Sequence, residues 1–272
     1  MRIGCCSNMN AMLPDGTGRE VMEKIKNAGF DYLELPFGAT NVLSDSEFSS
    51  LVSQVEKADI PVESMNSAFP GSLKLVGEDI DEDAVEKFIK QGLMRANELG
   101  ARIVGVGSGP SRSIPTSFPF DKGYDQLVTL FKRMSDEAEK YGIIVVIEPL
   151  RKAESNVINT FKEGVELAKR VDRSNVKVLA DFYHMAVEKE SPDVLVEYSS
   201  YLQHAHFANP AIGTERERSF PLSINECDYL PFFECLKKAG YSGRLSLEAY
   251  TKDFDHDAPC SLEVMRCLSN WR

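Results

Sequence analysis

Short apolar runs alternate with amphipathic helical stretches along the whole chain, and few folds accept that pattern. The apolar runs lie at residues 2–6, 32–35, 62–66, 102–107, 143–148, 177–181, 203–208 and 244–249. Helical periodicity fills 19–28, 44–58, 81–99, 124–141, 160–171, 193–201, 229–239 and 261–269. Eight such pairs in 272 residues give 34 residues per unit, a comfortable size for a βα repeat. The run Ile143-Ile144-Val145-Val146-Ile147 is apolar at every position, as in a parallel strand covered by helices on both faces. Ser44-Asp45-Ser46-Glu47 has the spacing of a capping box and predicts a helix start. Ala28-Gly29, Leu99-Gly100, Tyr141-Gly142 and Ala239-Gly240 each place a glycine where a helix must end before the next strand. An open doubly wound sheet shares the alternation but often carries a Gly-rich first turn. Here that loop is Ser7-Asn8-Met9-Asn10-Ala11. The expectation is therefore a closed (β/α)8 TIM barrel, α/β class, forming a single domain over residues 1–272. The stretch 107–123, with Gly109-Pro110, Pro115 and Pro119, reads as an active-site loop rather than a linker.

Charge narrows the partners. The formal net charge is −11, which repels nucleic acid and anionic membrane. No run of 18 apolar residues would span a bilayer, and Met1-Arg2-Ile3-Gly4-Cys5 lacks the apolar stretch of a signal peptide, so the expected compartment is the cytoplasm. The six cysteines include no Cys-x-x-Cys pair and are expected to be reduced, mostly buried thiols.

In a barrel the C-terminal strand ends converge on the active site. The fifth predicted strand ends Ile147-Glu148-Pro149, the sixth Ala180-Asp181, the seventh reads His204-Ala205-His206, and the eighth reads Ser246-Leu247-Glu248. Each such residue alone is commonly a loop-facing charge. Four from consecutive strands are a different matter, because three carboxylates beside one imidazole repel one another and lose solvation unless a divalent cation joins them. Oxygen-rich ligation with one histidine suits Mn²⁺, Mg²⁺ or Co²⁺ better than a thiolate-bound zinc. His206 lies nearer the strand end and is the expected ligand, with His204 a core or supporting group. His256, in the charged stretch 252–257, reads as a solvated surface residue. Asn66 could donate to a substrate hydroxyl. Glu34 could face the pocket or simply be a loop carboxylate. Gly105-Val106-Gly107-Ser108 would allow close backbone approach or form a plain turn. Arg112, Arg151 and Lys152 could bind an anionic substituent or be solvated charge.

Glu148-Pro149-Leu150 followed by Glu154, then Asp181-Phe182-Tyr183-His184-Met185, His204-Ala205-His206 and Ser246-Leu247-Glu248 resemble the xylose-isomerase-like barrel superfamily, and within it the D-tagatose 3-epimerase/D-psicose 3-epimerase group. The resemblance implies Glu148, Asp181, His206 and Glu248 as ligands of one divalent metal, manganese first, with cobalt or magnesium as alternatives. It implies supporting and substrate roles for Glu154, His184 and an arginine after the seventh strand. That loop is longer here than in the ketose epimerases, and Arg218 is the choice, with Arg216 the alternative.

The implied reaction is epimerisation of a ketose at C3 through a metal-stabilised enediolate, with Glu148 and Glu248 as the acid–base pair, Glu154 tuning Glu148, and His184 and Arg218 holding hydroxyls. An aldose–ketose isomerase, a sugar-phosphate epimerase or a keto-inositol dehydratase would use the same site, and a non-catalytic carbohydrate-binding barrel is a remote alternative. A nucleic-acid endonuclease on this barrel uses a histidine-rich multi-zinc site, which four histidines and an acidic surface do not support. The expected partner is a small sugar, with no nucleic acid and no membrane. Association into a homo-oligomer, dimer or tetramer, is compatible with the reading.

Overall fold

A computed structural model describes residues 1–211, 213 and 217–270. Eight strands are parallel and close on themselves: β1 (Arg2–Cys6), β2 (Tyr32–Pro36), β3 (Val62–Asn66), β4 (Ile103–Val106), β5 (Ile144–Ile147), β6 (Val176–Asp181), β7 (Leu202–Phe207) and β10 (Arg244–Leu247). Between β7 and β10 the chain adds a short antiparallel hairpin, β8 (Asn209–Pro210) with β9 (Arg218–Ser219). Helices fill the crossovers, so the predicted TIM barrel is the fold and it forms one domain. Among the described residues no helix is long and apolar enough to cross a membrane.

Local chemistry sets the element ends. Ser44 accepts from the Glu47 amide and the Glu47 carboxylate accepts from the Ser44 amide, which makes the expected capping box. The four junction glycines all have positive φ: 94° at Gly29, 92° at Gly100, 65° at Gly142 and 69° at Gly240. The last helix begins earlier than its apolar pattern suggests, at Phe254, because Asp253 caps it through the His256 amide. His256 is thus in a first helical turn, and its side chain remains exposed beside Asp257. Helices at Phe37–Asn41 and Phe182–Glu188 directly follow strand ends, one at Gly109–Arg112 follows β4 after two intervening residues, and none of the three was expected. Cys5, Cys6 and Cys235 are buried as expected, Cys227 and Cys260 half-buried, and Cys267 exposed; none forms a disulfide.

The main core lies between the strands and the helices. A second, small apolar cluster joins Ile103, Val146 and Leu179 of β4, β5 and β6, with Ile144 packed against it. The β2, β3, β7 and β10 side is polar instead. There Tyr32, Glu34, Ser64, His204 and Ser246 are fully buried and bonded to one another. Gly4 on β1 makes room for this layer, since a Cβ there would lie 2.2 Å from the Tyr32 ring.

Arg95, 2% exposed, fastens the short helix Phe37–Asn41 to the long helix Glu82–Leu99. Its Nη1 donates to the carbonyls of Thr40, Asn41 and Leu43, and its guanidinium lies over the Phe48 ring. Its ion pair with Asp45 counts for little, because the Asp45 side chain is in full contact with water. The buried carbonyls carry the cost of losing this side chain. Arg95→Met should lower the unfolding free energy by about 2–4 kcal/mol, read as a lower urea midpoint with an unchanged slope.

Candidate metal centre

The strand register brings the sequence-predicted quartet together. Asp181 on β6 pairs with His206 on β7, and His206 pairs with Ser246 on β10, so Glu248 lies two residues further toward the mouth. Glu148 follows β5, its amide donating to Val106 O on β4 at 3.1 Å. One ligand atom each from Glu148, Asp181, His206 and Glu248 lies within 4.8 Å of the other three, and all four residues are buried.

Each side chain is aimed by a second contact. Asp181 accepts from the Tyr183 amide through Oδ1 at 2.8 Å, which caps the helix Phe182–Glu188 and leaves Oδ2 facing the centre. Asn66 Nδ2 donates to Glu248 Oε1 at 3.0 Å and to Asn8 Oδ1 at 3.2 Å. His206 Nε2 meets Glu34 Oε1 at 2.8 Å. Its Nδ1 lies 3.4 Å from Glu148 Oε1 and 3.3 Å from Glu248 Oε2, and has no hydrogen-bond partner among the described residues.

The donor set fits a divalent cation. A buried imidazole nitrogen without a partner, set among three carboxylates, offers one nitrogen and an excess of oxygen, the combination that hard and borderline divalent ions take. Arg218, on β9, also brings positive charge: its guanidinium bonds Asp181 and Glu248, lies 2.9 Å from His184 Nε2, and stacks over the Tyr183 ring at 4.4 Å.

The environments pull the two glutamates apart. Burial raises the Glu148 carboxyl above its ordinary value, and the charge of Glu248 adds to that. Burial also opposes ionisation of Glu248, but Arg218 and then His206 outweigh it and hold it low. Asp181 is pushed up to about 6 by burial, against the pull of Arg218. His184 is kept neutral, first by burial and then by Arg218, and its Nδ1 accepts from the Arg151 amide at 3.2 Å.

Other expectations fare differently. Glu154 does not reach Glu148: its carboxylate is taken by Arg151 Nε at 2.7 Å, on the wall of the mouth. Arg151 also pairs with Glu217 and lies over Tyr183, while Lys152 is solvated beside Glu188. Arg112 is neither surface charge nor anion site. It is fully buried and donates to the carbonyls of Val106 and Ile158, because the 150–160 loop folds over it and offers those acceptors. Glu34 is no loop carboxylate: it lies inside the barrel, where His204 and then His206 offset the cost of its burial and keep it ionised. His204 is the supporting core group foreseen. Arg216 lies outside the described residues. Sequence reasoning missed Tyr183, Glu217 and Asn8, which with Arg151, Glu154 and Arg218 line an open cleft of about 1180 Å³ above the centre.

Gly107 shows how closely the ligands are fitted. A Cβ there would lie 2.4 Å from Glu148 Oε2 and 3.3 Å from both Glu148 Cδ and Leu150 Cδ2. The space beside Gly107 is thus taken by the Glu148 side chain, a use of this glycine that the sequence did not indicate. Gly107→Ala should displace Glu148 and weaken Mn²⁺ binding by roughly tenfold or more, measured by titration calorimetry.

Comparison with known proteins agrees with this architecture. The chain is 26% identical to D-psicose 3-epimerase of Ruminiclostridium cellulolyticum over 92% of its own length and 83% of that protein. It is 27% identical to ketose 3-epimerase of Arthrobacter globiformis, covering 100% of this chain and 90% of the relative. A crystal structure of D-psicose 3-epimerase in the presence of D-fructose superposes with a TM-score of 0.80 at 22% identity, covering 99% of both chains. A sequence model described as xylose isomerase-like TIM barrel matches residues 22–270, and the chain belongs to that family.

Proposed function

We propose that the chain is a divalent-metal-dependent ketose 3-epimerase, with manganese the first choice of metal and cobalt or magnesium the alternatives. The observation that carries the reading is the convergence of Glu148, Asp181, His206 and Glu248 at one end of the barrel. The similarity to ketose 3-epimerases along nearly the whole chain supports the same reaction. The substrate is a small sugar, handled in the cytoplasm by a single-domain chain that acts alone or as a dimer or tetramer.

A cation held by these four groups supplies a Lewis acid that stabilises the negative charge building on the ketone oxygen as the neighbouring C–H bond breaks. The protein must then move a proton off one face of C3 and return one to the other. Glu148 and Glu248 arrive on β5 and β10, three strands apart around the barrel, which suits attack from two sides. Placed on opposite sides, one of the two takes the C3 proton and the other returns one to the opposite face. The reverse reaction exchanges the roles. Each transfer contributes about 10²–10⁴-fold.

His184 and Arg218, which lie 2.9 Å apart, would hold substrate hydroxyls. Asn66 keeps Glu248 in line, and a role toward a substrate hydroxyl would pass through that bond. Glu154, anchored by Arg151, contributes a polar wall.

Glu248→Gln should abolish turnover while the circular dichroism spectrum stays that of the parent; a variant retaining near-parental activity would sink the acid–base assignment. Run in deuterated water with Mn²⁺ and a panel of ketoses, the parent should place deuterium on C3 of the product. Label on C2 of an aldose product would indicate an aldose–ketose isomerase, and loss of a hydroxyl a dehydratase.

A further inference from the structure

We propose that Glu34 is a positioning residue for the metal centre: it holds His206 in the tautomer whose Nδ1 lone pair faces the cation. The proposal rests on the metal-centre reading above and concerns a residue one layer beneath it, without access to solvent or substrate.

A fully buried carboxylate is expensive, and an apolar side chain would fill the same space in a barrel interior at less cost. The expense at Glu34 is offset by an unequal division of donors. Oε2 accepts from Ser64 Oγ at 2.6 Å, from His204 Nε2 at 2.8 Å and from Ser246 Oγ. Oε1 accepts from His206 Nε2 alone among the described residues, at 2.8 Å. Three groups on β3, β7 and β10 therefore lock one oxygen so that the other is presented to a single metal ligand. The lock has an outer stay, since Ser246, donating to Glu34, accepts from the Tyr32 hydroxyl at 2.7 Å.

With three donors gathered on Oε2, the Glu34 side chain serves as an acceptor throughout, so the proton at the Oε1 bond belongs to His206 Nε2. A neutral imidazole has one N–H, and Nδ1 is left with its lone pair. That nitrogen has no hydrogen-bond partner among the described residues and points between Glu148 and Glu248. The other tautomer would aim a proton at the cation. The negative charge of Glu34 also makes the imidazole a better donor to the metal. A merely structural Glu34, there to satisfy two buried histidines, would affect stability and leave cation affinity unchanged.

Glu34→Gln keeps the size and removes the charge. By titration calorimetry it should bind Mn²⁺ about 10–100-fold more weakly than the parent, while Ser64→Ala, which thins the lock on Oε2 and leaves the Oε1 bond, should stay within about threefold. Parental affinity in a folded Glu34→Gln protein overturns the proposal. A second measurement needs no variant: long-range ¹⁵N–¹H spectra of the parent loaded with Zn²⁺ should show His206 protonated at Nε2 and coordinated through Nδ1. A coordinated Nε2 overturns it equally. A parent that bound neither Mn²⁺ nor Zn²⁺ would overturn the metal-centre reading itself, and this role with it.

Discussion

Three carboxylates gathered around one imidazole, out of contact with water, form the constraint to which the rest of the barrel mouth answers. Two like charges 4 Å apart cost about 4 kcal/mol even at an effective dielectric of 20, and burial adds to that. Ligand atoms that share a space of 4.8 Å are therefore held together against considerable repulsion. Arg218 supplies one positive charge from the hairpin, Asn66 supplies a donor, and the Tyr183 amide takes one oxygen of Asp181. Glu34 works from beneath. Each of these contacts lowers the cost of an arrangement that the proposed cation completes.

Much of this was legible in the sequence because the barrel repeats. Alternation fixes the number of strands, an unbroken apolar run such as 143–147 marks a strand covered on both sides, and counting to the strand ends picks out Glu148, Asp181, His206 and Glu248. The same covering hides what lies inside. In a strand buried on both faces, apolar alternation no longer distinguishes the barrel interior from the helix-facing side. All five residues of β2 are buried, so Glu34 could not be assigned to the interior without knowing that Ser64, His204 and Ser246 meet it there.

Loops were hard to read for another reason: their partners are distant in sequence and chosen by geometry. Arg112 looks like surface charge until the carbonyls of Val106 and Ile158 are seen to enclose it. Glu154 looks aimed at Glu148 until Arg151 intercepts it. Ile158, whose carbonyl receives Arg112, has φ at 59°, a region that a β-branched residue seldom occupies, so the loop accepts backbone strain to keep that bond.

The double duty of Asp181 limits how this site can be altered. One of its oxygens faces the ligand cluster while the other begins the helix that carries Tyr183 and His184. Exchanging it for histidine to court a softer metal would unfasten that helix start and disturb the stacking surface beneath Arg218. The ligand cluster and the helix start are mechanically yoked at this position, so an alteration made for one is felt by the other.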